Sequence, residues 1–232
     1  MIKRVKTGIM GLDEMIEGGF PRGKTILVSG GPGTGKSIFS LQFLYYGALQ
    51  WDEPGVFISF EERPADIIAN SSRFGWNLEY LIKKDKLRIL SVIPTRMEEG
   101  RYVIDSQYTG DAFFPRDFSI DTVSDIISKR FEEINAERVV IDTTSALVFQ
   151  LRGEANIRQE LLGFYETVTK SGCTSILTSE SGVGSEKFSS FDVEEFLASG
   201  VIILNYIKTG NERRRALEIL KMRGTNHYEG IY

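Results

Sequence analysis

The feature that most restricts this chain is the run Gly30-Gly31-Pro32-Gly33-Thr34-Gly35-Lys36-Ser37, which meets G-x-x-x-x-G-K-[ST] at every fixed position. An apolar stretch precedes it and an amphipathic helical pattern follows, so it reads as a turn between a strand and a helix. Glycines let backbone N–H groups turn inward around a phosphate. The helix N-terminus at Lys36 adds a partial positive charge at the same place. Lys36 is expected to reach the outer phosphates of a nucleoside triphosphate, and the Ser37 hydroxyl to complete the shell of a Mg²⁺ ion. Gly31, Pro32, Gly33, Thr34, Gly35, Lys36, Ser37 and Ile38 form the candidate nucleotide-binding set, with ATP and Mg²⁺ as expected ligands. A glycine-rich turn without a ligand is the bland alternative, and the strand–loop–helix context counts against it.

A loop of this kind belongs in an open α/β sheet, and the rest of the chain supplies one. Short runs apolar on both faces, Thr25–Ser29, Val56–Phe60, Leu87–Leu90, Val139–Ile141 and Ser175–Thr178, read as parallel strands covered by helices. Helical patterns alternate with them: Lys36–Leu49, Ala65–Phe74, Ile120–Ile134 and Ile157–Val168. Val201–Tyr206 and Arg214–Arg223, joined through Lys208-Thr209-Gly210-Asn211, read as an antiparallel hairpin added to the sheet. Tyr102–Asp117 and Ser179–Ser190 read as loops. The expected architecture is α/β, with a mostly parallel twisted sheet, helices on both faces and a C-terminal antiparallel hairpin. One domain spanning residues 1–232 is expected.

Composition removes several function classes. The 28 Lys and Arg against 32 Asp and Glu leave a net charge of −4, which argues against coating nucleic acid through bulk charge. Cys173 and His227 are the only cysteine and histidine, so neither a disulfide framework nor a Cys/His metal site is expected. Cys173, before an apolar run, reads as a small hydrophobe, and Trp51 and Trp76 as packing residues. Nothing reads as a signal peptide or a membrane span, and a cytoplasmic protein is expected.

Two groups of carboxylates stand where hydrolysis needs them. Val139-Val140-Ile141-Asp142 is an apolar strand ending in an acid, so Asp142 is expected beside the phosphate loop, holding Mg²⁺ through its water shell. Glu61 and Glu62 follow Val56–Phe60, at the strand end where open α/β sheets collect ligands. Their expected work is to orient and deprotonate the attacking water. On a regular strand only one of two successive residues can face the phosphate, and the sequence leaves open which.

The motifs together resemble KaiC and the wider RecA/RadA superfamily. Thr7-Gly8-Ile9-Met10-Gly11-Leu12-Asp13 is similar to the entry segment of RecA/RadA-type ATPases. Ser59-Phe60-Glu61-Glu62-Arg63-Pro64, Arg73-Phe74-Gly75-Trp76, Thr178-Ser179-Glu180, Glu194-Glu195-Phe196 and the run from Leu217 to His227 are similar to KaiC. The resemblance implies a RecA-like core in a homo-oligomeric ring, commonly of six, with ATP held between subunits. It assigns Lys221 and Arg223 to a Lys-x-Arg pair that reaches the γ-phosphate on the next subunit. Spacing alone allows a solvated basic edge strand equally well. Thr225 and His227 match further subunit-crossing contacts, and Arg73 and Arg215 match nucleotide-side positions. Where the autophosphorylating half of KaiC carries adjacent Ser/Thr acceptors this chain has Glu195-Phe196, so autokinase activity is not expected.

Two functions follow from this reading. One is a self-assembling ATPase that acts as a nucleotide-driven switch on a protein partner. The other is a recombinase-like protein that binds DNA through the Ser179–Ser190 loop or the Arg213-Arg214-Arg215 run. The loop carries Lys187 against Glu180 and Glu186, with Phe188 and Phe191 as the nearby aromatics. That is poor in the basic and stacking residues single-strand binders use, so DNA ranks second.

Overall fold

In chain order the computed structural model contains β1 (Arg4–Val5), α1 (Leu12–Met15), β2 (Phe20–Pro21), β3 (Thr25–Gly30), α2 (Lys36–Gln50), β4 (Gly55–Ser59), α3 (Pro64–Ser72), α4 (Leu78–Lys83) and β5 (Leu87–Ser91). It continues with β6 (Asp105–Ser106), α5 (Ile120–Glu133), β7 (Arg138–Asp142), α6 (Thr144–Gln150), α7 (Ile157–Lys170), β8 (Thr174–Glu180), α8 (Glu194–Leu197), β9 (Gly200–Thr209) and β10 (Glu212–Met222). The residues described are 2–92, 105–106, 120–150, 157–181 and 194–232. Most of the two expected loops, Tyr102–Asp117 and Ser179–Ser190, lies outside them.

One eight-stranded sheet runs in the order β10-β9-β3-β8-β7-β4-β5-β6. The strands from β9 to β5 are parallel, and β10 and β6 close the two edges antiparallel. The expected fold class is therefore what forms. Side chains alternate across the central strands, because successive strand residues face opposite ways. On one face Ile26, Val28, Phe57, Val140, Ile176 and Ile202 pack with α2, α3 and α4. On the other, Leu27, Val56, Ile58, Val139, Ile141, Leu177 and Val201 pack with α5 and α7. Among the described residues no helix is long and apolar enough to cross a membrane.

Both expected packing roles for the tryptophans hold. Trp51 lies beneath the Arg138 guanidinium, 5.4 Å from its ring centroid. Trp76 stacks on Tyr45 at 5.6 Å. Cys173 is buried, and burial pushes its thiol up. Arg138 itself is fully buried, donating to Glu53 and to the Phe43 carbonyl at 2.8 Å. It fits because Gly47 of α2 has no side chain: a Cβ there would stand 2.4 Å from Arg138 Nε.

The hairpin differs from expectation in two details. Its turn is tighter, with β9 reaching Thr209 and β10 starting at Glu212, so only Gly210 and Asn211 intervene. Gly210 has φ of 61°, as the first residue of a two-residue hairpin turn requires. A bulge between Ile219 and Lys221 breaks the register, and Arg223 falls just past the end of β10. Lys221 thus stands after the bulge on the last rungs of β10, and Arg223 in the turn beyond it.

Candidate functional site

The carboxyl ends of β3, β8, β7 and β4 stand side by side, with Gly30 opposite Glu180 and Ser59 opposite Asp142. In an open α/β sheet this edge is where a ligand sits. The glycine loop crosses it between β3 and α2. Gly33 and Gly35 have φ of 77° and 108°, which turns the loop back on itself in a way side-chain-bearing residues resist. At Gly30 a Cβ would meet the Leu204 carbonyl at 2.4 Å. Lys36 opens α2 and folds back over the loop, its Nζ donating to the Gly30 and Gly31 carbonyls at 2.9 and 3.2 Å. Its ammonium thus stands inside the curve of the loop, where a polyphosphate needs a cation.

Ser37 and Asp142 meet across the sheet edge through a side-chain hydrogen bond. Burial pushes the Asp142 carboxyl up, against hydrogen bonds from Thr178 and Ser37 and the charge of Lys36. A buried carboxylate beside a hydroxyl at a phosphate loop has the oxygen donors a Mg²⁺ shell uses. The residues present therefore fit MgATP.

The two glutamates part company. β4 ends at Ser59, and the Ser59 hydroxyl accepts the N–H groups of both Glu61 (3.3 Å) and Glu62 (2.8 Å). They stand in a bend rather than on a strand, so strict alternation does not decide their direction. Glu61 turns toward β7 and accepts from Thr143 Oγ1 at 3.2 Å. Desolvation pushes its carboxyl up; the Thr143 bond opposes this, Asp142 and Glu180 add to it, and Lys36 opposes it. Glu62 turns toward α3, where Asn70 Nδ2 approaches at 3.5 Å, and its carboxyl is also pushed up by desolvation, with Asp142 adding.

Beside the loop opens a cleft of about 460 Å³, lined by Gly33, Gly35, Lys36, Ser37, Ile38, Glu62, Asn70, Arg73, Phe74, Trp76 and Arg215 among others. Expected residues Ile38, Arg73 and Arg215 thus gather on one cavity. Arg215 reaches it from β10, its Nη2 3.3 Å from the Gly33 carbonyl. Tyr206, opposite Arg215 on β9, donates its hydroxyl to the same carbonyl at 2.7 Å. Sequence reasoning did not single out Tyr206, Asn70 or Thr143. Cross-strand pairing of Tyr206 with Arg215 was the signal that could have found the first.

Lys221, Arg223, Thr225 and His227 stand elsewhere. β9 runs parallel to β3 from Gly200 opposite Ile26 to Leu204 opposite Gly30, and Lys221 pairs with Val201. That puts Lys221 at the end of the sheet away from the chain's own phosphate loop, roughly 17 Å from Arg215 by the spacing of their partners Val201 and Tyr206 on β9. Burial and then the charge of Arg223 hold the Lys221 ammonium below its ordinary value, against the charge of Glu195. Arg223 donates to the Phe196 carbonyl at 3.0 Å. Within one chain the structure therefore separates this group from the cleft.

The KaiC ATPase family model matches residues 5–232. The chain belongs to the KaiC ATPase family. It is 38% identical over 231 residues to the circadian clock oscillator protein KaiC of Synechococcus elongatus, covering 100% of this chain and 42% of that protein. It is 37% identical to KaiC of Prochlorococcus marinus over the whole of this chain and 44% of the relative. The chain thus spans about two-fifths of the length of these curated relatives. A crystal structure of a KaiC-like protein from the hyperthermophilic archaeon Pyrococcus horikoshii superposes with a TM-score of 0.85 at 37% identity, covering 100% of this chain and 94% of that one. The KaiC resemblance and the RecA-like fold expected from the motifs are therefore correct.

Proposed function

We propose that this KaiC-family chain folds as one domain over residues 1–232, binds ATP with Mg²⁺ on Gly31–Ile38, hydrolyses it, and uses the cycle as a switch on a protein partner. The observation that carries the reading is the convergence of Lys36, Ser37, Asp142 and Glu61 on one sheet edge. Ser37 and Asp142, the latter through water, would hold Mg²⁺, whose charge when bound offsets the negative charge on the transferring phosphoryl group.

The chain's own groups do the rest. Loop N–H groups and Lys36 grip the phosphates, exchanging Lys36's bonds to the Gly30 and Gly31 carbonyls for phosphate oxygens. Glu61 is the base, because its bond to Thr143 turns it to the end of β7 next to Asp142, and its raised affinity for protons suits taking one from water. Glu62 stays at the cleft wall with Asn70. Arg73 and Arg215 bound the nucleotide on the same subunit. Lys221, Arg223, Thr225 and His227 serve the nucleotide of a neighbouring subunit, which their distance from the cleft of their own chain supports. A head-to-tail ring supplies such a neighbour, six-membered by resemblance to the family. A cytoplasmic setting is part of the same proposal.

Steady-state ATP hydrolysis with Mg²⁺ or with EDTA, with and without single-stranded DNA, is the test. Turnover that needs Mg²⁺ and Lys36 and ignores DNA is expected. Absence of turnover in an assembled wild-type protein overturns the hydrolytic reading. Salt-sensitive stimulation by DNA puts the recombinase-like reading first. That alternative loses ground at the arginine run: Arg215 turns to Gly33, and Arg214 pairs with Glu212 at 3.1 Å. The residues of the other candidate DNA loop, 182–190, lie outside those described.

A further inference from the structure

The segment from Lys221 to His227 has to hold a definite shape on one subunit if it is to act on the next. Past β10 it makes a turn in which Thr225 N–H reaches the Met222 carbonyl at 3.1 Å and Gly224 has φ of 69°. A free turn of this kind is short, exposed at Arg223 and Gly224, and poor in buried apolar area. Something else fixes it.

That support comes from the other end of the chain. Arg4, on the two-residue strand β1, sends Nη1 to Thr225 Oγ1 at 2.6 Å and Nη2 to the Gly224 carbonyl at 3.1 Å. The same guanidinium is oriented from behind by Glu17 at 2.9 Å and the Gly19 carbonyl at 3.4 Å. Ile2, two residues earlier, presses on Gly224 so closely that a Cβ there would stand 2.5 Å from Ile2 Cδ1. Tyr228 N–H, just past the segment, donates to the Met15 carbonyl at 2.9 Å. The turn is thus gripped by Ile2 and Arg4 and anchored onto α1.

We propose that Arg4 is a positioning residue for the intersubunit loop, setting where Lys221, Arg223 and Thr225 meet the neighbour's nucleotide. The inference rests on the intersubunit reading above and adds to it. Arg4 acts through the turn rather than on a phosphate: its planar fork holds a hydroxyl and a carbonyl along two fixed directions, whereas a lysine ammonium is a point charge without that fork. The Thr225 hydroxyl, accepting from Arg4, keeps its own proton to donate outward.

Subunit mixing tests this. Arg4→Gln has an intact phosphate loop and a misplaced intersubunit loop, whereas Lys36→Ala has the reverse. Alone, each is expected to turn over slowly, with Arg4→Gln lowering kcat more than it raises KM. Co-expressed in equal amounts, they are expected to recover turnover, since in a randomly mixed head-to-tail ring about one site in four joins an intact loop to an intact neighbour. Lys221→Ala mixed with Lys36→Ala is the control. If that control recovers and the Arg4→Gln mixture does not, Arg4 is overturned and the intersubunit reading stands. If neither mixture recovers, the intersubunit reading fails and takes the proposal with it. Wild-type turnover by Arg4→Gln alone also overturns it. Should Arg4→Gln not assemble, Arg4→Lys takes its place in the same mixing test.

Discussion

The Tyr206 hydroxyl donates to the Gly33 carbonyl at 2.7 Å, fastening the β9–β10 hairpin to the crown of the phosphate loop. Arg215 approaches the same oxygen from the opposite strand. A peptide whose carbonyl is held outward keeps its N–H turned the other way, which is the arrangement a phosphate loop needs. Tyr206→Phe removes one neutral hydrogen bond and leaves Arg215. It is expected to raise the Kd for ATP about two- to tenfold, a loss of ~0.5–1.5 kcal/mol. Calorimetric titration checks this, and an unchanged Kd means the hairpin does not shape the loop.

The two glutamates are expected to separate in kinetics. Glu61→Gln keeps nucleotide binding and lowers kcat by about 10²–10⁴-fold, the usual worth of a general base. Glu62→Gln, at the cleft wall, is expected to move KM more than kcat. Parallel losses in both variants would reverse the assignment of Glu61 as base.

Lys36→Ala is expected to abolish measurable ATP binding at micromolar nucleotide. Two charge-assisted bonds to phosphate go with it, together worth about 3–6 kcal/mol. Binding within tenfold of wild type would show that the loop amides alone hold the triphosphate.

Stability is expected to depend on pH through Asp142. Burial raises its folded-state value above the ordinary carboxylate one, so folding favours the protonated form. The contribution is fullest below the ordinary carboxylate pKa and is lost as pH rises through the raised value. Asp142→Asn mimics the protonated form. Without nucleotide or Mg²⁺ it is expected to raise Tm at pH ~8, by ~2–4 °C per ~1 kcal/mol relieved, with the gain shrinking toward pH ~4. Thermal melts across pH check the sign, and a lower Tm for the variant at high pH contradicts it.

Arg138 offers a stability test away from the site. It is fully buried and held by Glu53, which also pairs with Arg22. Glu53→Gln leaves a buried guanidinium without its counter-charge and is expected to cost about 3–5 kcal/mol in denaturant unfolding. The phosphate loop does not touch this pair, so ATP binding by the folded fraction is expected to survive.

The phosphate loop, the α/β class and the candidate carboxylates were legible in the sequence, because each is a local matter. Glycines and a lysine in fixed order can be read without neighbours, as can runs apolar on both faces. The resemblance to KaiC, not the spacing, named Lys221 and Arg223 as candidate cations for a neighbour. Their place was not legible: spacing alone allows a solvated edge strand, and only the pairing of β10 with β9 puts Lys221 at the end of the sheet away from the chain's own phosphate loop. Nor could the sequence choose between Glu61 and Glu62, since that choice rests on a Ser59-capped bend, on Asn70 of the next helix and on Thr143, which lies far along the chain from the acid it touches. Arg138 with Glu53, Tyr206 with Gly33 and Arg4 with Thr225 were invisible for the same reason. Such pairs join residues from distant parts of the chain, and only the packing of the sheet brings them within hydrogen-bond reach.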